Sequence, residues 1–564
     1  MYPESMQKSV RNVEKTRPER FKLVMSGKKI HPMMTEKERD VVLHKFHPDY
    51  QPDARKKIRI GPNKGENLTT EIVDLLEAYS RINPKDFDLT KPDYETDVLV
   101  VGGGSAGFAA ALLAEENGVK VTLVTKLRIG DSNSMMAQGG IQAAVRPNDS
   151  PILHYLDAIG GGHFDNKPEL VRALTSEAPD GINWLKDLGV MFDRNPDGTM
   201  VTKSGGGTSR LRMHSARDYT GAAICSTLRD EILNRPDKIK ILEHQPVVEL
   251  IMDNKGKVSG AVLYHLENKK YYTIKAKAVI LSTGGFGRLH IKDFETTNHY
   301  GATADGLVLG YRVGAKLMYM DSVQYHPTGA IYPKQILGFL CTEKLRSLGA
   351  QPLNIDGEIF VNPLEPRDVE SSSFIRECQE RKKGIRTPNL MELGIDDPGH
   401  VGVWLDTPLI DQINGKGTIQ ASVPAMVRQF ARFGVDMITE PILVYPTLHY
   451  QNGGVEINDH CETNIPGLFV SGEASGGVHG RNRLMGNSQL DLIIFGRRSG
   501  KFAAEFAKTA KTGKLSLDHV YEYEKEVDKI GIDKKKISPL VLPDYIPDHV
   551  KAKQLTAEYH GTLI

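Results

Sequence analysis

The polarity of the chain changes at Asp97. Val98-Leu99-Val100-Val101 is an unbroken apolar run, the pattern of a strand buried on both faces. Gly102-x-Gly104-x-x-Gly107 follows at once, and Phe108 to Glu116 then reads as a helix that Gly118 ends. Val119 to Val124 is the next strand, so the region opens as a βαβ unit. A later apolar strand, Ala278 to Leu281, runs into the glycine turn Ser282-Thr283-Gly284-Gly285. Upstream, Thr35 and Glu38 form a capping box before Val41, Val42, Leu43 and Phe46, which predicts a short amphipathic helix. Leu68 to Ile82 reads as a second helix starting near Thr69 or Thr70, and Pro84 to Pro92 as a linker. From about Gly500 the chain is Lys/Glu-rich with helical spacing.

At 564 residues the chain exceeds what one core holds, which predicts two or more domains. Lys+Arg at 72 against Asp+Glu at 71 leaves a formal charge of +1, which removes any global electrostatic case for nucleic acid or an anionic membrane. The basic run Arg55-Lys56-Lys57 with Arg59 reads as a solvated face, with docking onto a partner subunit as the alternative. Cys225, Cys341, Cys378 and Cys461 are scattered without a CxxC, which argues against a disulfide framework, an iron–sulfur ligand set or a c-type haem in this chain. The first 23 residues are polar and no run approaches the ~18 apolar residues of a membrane helix. The expectation is a reduced, cytoplasmic protein without direct membrane insertion, peripheral to a membrane only through partner subunits.

The glycine turn after Val101 sits where a pyrophosphate would meet a helix N-terminus. The acid that usually binds ribose at the end of the second strand is absent; Thr125-Lys126 stands there. Further on, His449-Tyr450, Gly453-Gly454, Gly472-Glu473 and His479-Gly480-Arg481-Asn482-Arg483-Leu484 place imidazole, glycine turns, a carboxylate and an arginine pair in a short stretch. Those groups suit a site that holds a dianion against a cofactor: Arg483 as a planar fork, His326 and His449 as imidazole donors, and Thr342 as a hydroxyl.

The order of these segments resembles the flavoprotein subunit of the fumarate reductase/succinate dehydrogenase family, which also includes L-aspartate oxidase. The matching motifs are Ala137-Gln138-Gly139-Gly140-Ile141, His214 to Gly221, Thr303-Ala304-Asp305-Gly306, Tyr325 to Gly329, Thr342-Glu343-x-x-Arg346, Pro366-Arg367-Asp368 and the stretch from His449 to Leu484. The resemblance covers most of residues 96–505. It implies an α/β fold: a Rossmann-like FAD-binding domain in two parts (96–326 and 447–504), an inserted α+β capping domain (327–446), a short C-terminal helical segment (505–564) and an N-terminal extension (1–95). It implies FAD, held by Gly102, Gly104, Ser105, Ala106, Gly107, Thr125, Lys126, Ser132, Ser134, Gln138, Gly139, Gly140, Asp305, Glu473, Asn487, Ser488 and Leu490.

It also implies reduction of the C=C bond of a C4 dicarboxylate bound by His326, Thr342, His449 and Arg483, or succinate oxidation in reverse. Arg367 would be the proton donor, reloaded through Glu343 and Arg346, with electrons from an iron–sulfur partner subunit. Three positions depart from the family pattern. Asn133 stands where membrane-bound members carry the histidine that bonds FAD, so the expected flavin is non-covalent. Leu348 replaces a glutamate, and Asn452 a methionine, while Met485-Gly486-Asn487-Ser488 replaces G-S-N-S. The alternatives are an L-aspartate oxidase-like enzyme and, in another class, a flavin-bearing electron-transfer subunit.

Overall fold

The computed structural model describes residues 2–27, 31–289, 291–394 and 397–542. Its central sheet is built around Tyr94–Val101, whose apolar residues are almost wholly buried. Val121–Val124 and then Ile239–Leu242 pair with it in parallel on one side, and Tyr271–Leu281 on the other. Tyr271–Leu281 is long enough to do two things along its other edge. Its first half pairs antiparallel with Val258–Tyr264, and its last three residues pair in parallel with Leu468–Val470. The strand ends of Tyr94–Val101, Tyr271–Leu281 and Leu468–Val470 therefore lie together, and each opens into a glycine-containing turn. Carboxyl ends of parallel strands are where open α/β sheets bind ligands. The Ser105–Glu116 helix, rich in alanine, packs closely against the Asn487–Thr509 helix, where Gly496 and Gly500 let the backbones approach.

A second core is formed by residues between Ala330 and Val444. Its sheet orders Val323–Ala330, Ile442–Gln451, Val401–Leu405 and Pro352–Leu353. The first two strands are antiparallel, with His326 opposite Thr447, and they run from this second core into the larger one. One strand pair thus fixes how the inserted segment meets the dinucleotide-type domain.

Residues before Asp93 are divided between the two cores. The Glu4–Met25 helix, which the polar N-terminal sequence did not suggest, buries Tyr2, Met6, Val10 and Val13 in the inserted domain. Its Arg17 and Arg20 both bind the buried Asp406 (2.8 and 2.7 Å). The Glu36–Phe46 helix has the expected capping box of Thr35 with Glu38. The second expected helix is shorter than its pattern suggested. It spans Thr70–Leu76 and gives way at Glu77 to the strand Tyr79–Ser80, which pairs with Ile537–Ser538. The apolar residues to Ile82 are buried by tertiary packing rather than by helical continuation. The basic run is ion-paired, Arg55 to Asp321, Lys56 to Asp74 and Arg59 to Glu77. At the C-terminus, Asn487–Thr509 and Asp518–Lys529 are helical; residues 543–564 lie outside the described residues.

Candidate functional site

A cavity lined by Gly102, Thr125, Ser282, Thr283, Gly472 and Glu473 opens at the strand ends. Gly102 occupies φ +129°, and a Cβ there would sit 2.1 Å from the Ser282 carbonyl, so only glycine lets the two strand ends close. At Gly107 a Cβ would sit 1.9 Å from the Gly102 carbonyl, which fixes how closely helix and strand pack. Thr283 Oγ1 in the cavity wall and Gln138 Oε1, next in sequence to the lining residue Ala137, are buried without a protein partner. Such orphans fit a polar ligand. Lys126 is fixed by Thr303 and Asp305 (both 2.7 Å). Asn133 Nδ2 donates to Asn298 Oδ1 (2.6 Å) and its Oδ1 accepts from His299 N–H (2.5 Å). Burial holds the Glu473 carboxyl up at about 7, although it accepts from Gln451 N–H.

The cavity wall includes His449, and there a cationic cluster begins. His326 and His449 stand on the paired strands with ring centroids 5.0 Å apart. His326 Nδ1 accepts from the Thr328 amide (3.2 Å), which leaves the proton of the neutral ring on Nε2. His449 Nδ1 is taken by Thr297 Oγ1 (2.8 Å). Burial and the neighbouring Arg367 push both imidazoles well below their ordinary value, so both are neutral. Arg483 lies over the Tyr450 ring, and burial with repulsion from Arg367 lowers it to about 9. Gln324 Oε1 accepts from Arg483 Nη2 (2.8 Å) and Arg367 Nη1 (3.1 Å), holding both guanidinium groups on one atom. Two buried guanidinium groups converging on one neutral acceptor, with only Arg367 also paired to a carboxylate, make a site that favours an anion.

Behind Arg367 lies Glu343, which accepts from Arg367 Nε (2.7 Å) and Gly206 N–H (2.7 Å). Burial alone would raise this carboxyl, but Arg367 and Arg346 hold it at about 2. Arg346 Nη2 stands 3.6 Å from Glu343 and its Nη1 binds Glu370.

Residues 97–489 match the family of FAD binding domains. One subunit of the fumarate reductase (CoM/CoB) of Methanothermobacter marburgensis is 36% identical over 428 residues, 74% of each chain. L-aspartate oxidase of a Nostoc species is 35% identical over 79% of this chain and 75% of its own. Among solved structures, an E. coli quinol fumarate reductase FrdA variant superposes with a TM-score of 0.68 at 30% identity, covering 78% of this chain and 74% of that one. The chain belongs to the FAD-binding flavoprotein family of fumarate reductases and L-aspartate oxidases. It is an FAD-dependent oxidoreductase of that family.

Of the flavoprotein residues expected from sequence, Gly102, Gly104, Ala106, Thr125, Lys126, Ser132, Ser134, Asp305, Glu473 and Ser488 line the cavity. Ser105 begins the helix above it, with its amide on Ser134 Oγ (3.2 Å). Gly139 and Gly140 lie to one side; a Cβ on Gly139 would meet Met485 at 2.7 Å, and one on Gly140 the His214 carbonyl at 2.5 Å. Leu490 is buried in the main core, and its neighbours Gln489 and Leu492 line the cavity. Asn487 Oδ1 is engaged by His154 Nε2 (2.9 Å). Thr342 is buried two residues from Lys344, whose amide reaches its hydroxyl (3.4 Å). Arg481 does not join the cation cluster: it binds Asp165 and Asp321 (both 2.8 Å) and lies over Tyr319.

Sequence reasoning missed Gln324, Glu370, Asn298 and His299. Gln324 stands two residues before His326 and so shares its face of the strand, a signal that strand periodicity offered. Asn298 and His299 come from an irregular segment with no pattern to read.

Proposed function

We propose that this flavoprotein reduces the C=C bond of a C4 dicarboxylate, with Arg367 as the proton donor. The observation that carries the reading is the convergence of Arg367, Arg483, His326 and His449 beside the flavin cavity, with Glu343 and Arg346 directly behind Arg367. Bound FAD supplies the hydride. The substrate carboxylates are held by Arg483, by the Nε2–H of His326 and by the free ring nitrogen of His449, which donates when Thr297 donates to its Nδ1, with the Thr342 hydroxyl adding a donor. These donors also stabilise the charge that hydride addition pushes onto one carboxylate, typically by about 3 kcal/mol each. Arg367 gives its proton to the other carbon. Arginine is a weak acid, and the role is supported by its buried position among cations, where loss of one charge relieves repulsion. Glu343, ionised between two arginines, is placed to return a proton from Arg346.

The flavin is non-covalent in this reading, because Asn133 has no nucleophilic nitrogen to bond it and is engaged by Asn298 and His299. Among the described residues no helix is long and apolar enough to cross a membrane, and none of their His, Cys, Asp and Glu side chains group to hold a metal ion. Electrons come from a separate iron–sulfur partner in this reading, as relatives named as subunits suggest, and the protein works in the cytoplasm.

A second reading, amino-acid oxidation, is favoured by the L-aspartate oxidase relatives. Fumarate-dependent oxidation of a reduced viologen without aspartate-dependent peroxide supports the first reading; the reverse outcome replaces it with the second. Acid precipitation that leaves flavin in the supernatant confirms non-covalent binding, and flavin in the pellet refutes it.

A further inference from the structure

The relay behind Arg367 has a buried carboxyl that the reaction so far does not use. Glu370 lies on the Arg367–Gln379 helix and is 0% exposed. One of its oxygens accepts from Arg346 Nη1, while Oε1 is buried without a hydrogen-bond partner. Arg346 thus bridges two carboxyls: Glu343 on the substrate side and Glu370 on the far side. Glu365 is close enough to Glu370 for its charge to act there. Glu365 in turn accepts from the Met34 amide (2.5 Å) and from Arg39 Nη2 (2.9 Å), and the Arg39 side chain is 32% exposed. The charged groups facing Glu370 are Arg346, Glu343, Glu365 and Arg367, with Arg39 one step further out.

A buried carboxylate with an unsatisfied oxygen costs far more than the neutral carboxylic acid at the same place. Burial, reinforced by Glu343 and Glu365 and opposed by Arg346, moves Glu370 up to about 8. Glu343 and Glu370 flank the same arginine, yet their surroundings move them in opposite directions, Glu343 down and Glu370 up. That contrast is what a one-way proton store requires.

We propose that Glu370 is the proton-storing residue of this relay, refilling Arg367 through Arg346 and Glu343 and itself refilled from solvent past Glu365 and Arg39. The proposal rests on the dicarboxylate-reducing reading. After Arg367 has protonated the substrate carbon it is neutral. Arg346 gives a proton to the Glu343 carboxylate, Glu343 passes it to the neutral Arg367, and Glu370 then returns a proton to the neutral Arg346. One proton is moved in total and no electrons change hands. Glu370 is left as a carboxylate against the Arg346 cation until solvent restores its proton. It never touches substrate and acts only through its neighbours.

The test is Glu370→Gln in the full-length, FAD-loaded protein. Glutamine keeps the volume and a hydrogen bond to Arg346 but carries no exchangeable acid proton. With reduced viologen and fumarate, kcat falls by roughly tenfold or more while KM and flavin content stay at wild-type values. The wild-type fall in kcat as pH rises through about 8 flattens in the variant, and Glu370→Asp restores part of the rate. Infrared spectroscopy of the wild type shows a carboxylic-acid band titrating in that range, which the variant lacks. Wild-type kcat and pH profile in Glu370→Gln overturn the proposal. Absence of the acid band from the wild type overturns it even if the variant does not fold. A wild type that turns over no dicarboxylate brings down the functional reading and this proposal together; an active wild type with an unaffected variant removes this proposal alone.

Discussion

At the scale of single residues, the chemistry depends on charges that would be unfavourable in isolation. Arg367 and Arg483 are both buried and share Gln324 Oε1, and Arg367 is balanced by Glu343 while Arg483 has no carboxylate partner, which is the basis for proposing an anionic substrate. Arg367→Gln keeps a donor for binding but not the proton. It is expected to lose roughly 10²–10⁴-fold in kcat with a much smaller change in KM, measured by viologen oxidation; a raised KM at unchanged kcat would reduce Arg367 to a binding role. Glu343 gives a second prediction, in pH. Its folded value of about 2 lies below the ordinary carboxylate value, so its contribution to stability is complete above that ordinary value and is lost as pH falls toward 2. Wild type should unfold later than Glu343→Gln at neutral pH, and the gap should close on acidification, as read by thermal denaturation. His326, Thr342, Glu343, Arg346, Arg367, His449 and Arg483 could be singled out from the sequence because each sits in a short motif, and the fold brings Arg367, Arg483, His326, His449 and Glu343 together. Gln324 and Glu370 were not, because a lone glutamine or glutamate carries no local signal of burial.

At the scale of elements, local rules held where they were strong. The glycine turn between strand and helix and the Thr35–Glu38 capping box formed as their residue types require. They failed where packing decided the outcome. The Thr70–Leu76 helix stops because Tyr79–Ser80 pairs with Ile537–Ser538, a partner more than 450 residues away in the chain. The Glu4–Met25 helix was hidden by its polarity: a narrow line of buried side chains and two arginines hold it to Asp406. Arg20→Ala leaves a buried carboxylate with one partner fewer, for an expected cost of about 3 kcal/mol. Denaturant unfolding should show it, with the loss confined to the inserted domain in hydrogen exchange.

At the scale of the whole molecule, the site exists because two cores meet. Asp218 of the flavin domain accepts from the amides of Ala425 and Met426, capping the Pro424–Ala431 helix of the inserted domain from outside. Lys344 ties the same seam, donating to the carbonyls of Arg217 and Ser422. Asp218→Ala should cost about 1 kcal/mol, the worth of a helix cap, and should raise KM and amide exchange over residues 418–431 while leaving bound flavin unchanged. A KM equal to wild type would show that the seam does not govern closure. The dinucleotide-type βαβ start, the flavin family and the order of its motifs were determined by the sequence alone. They rest on glycine conformation, apolar runs and short spacings, which act between near neighbours. The division of residues 1–93 between two cores, the pinning of two arginines by Gln324 and the placing of Glu370 behind Arg346 were decided only in three dimensions. Burial and charge pairing depend on which distant segments the chain brings together.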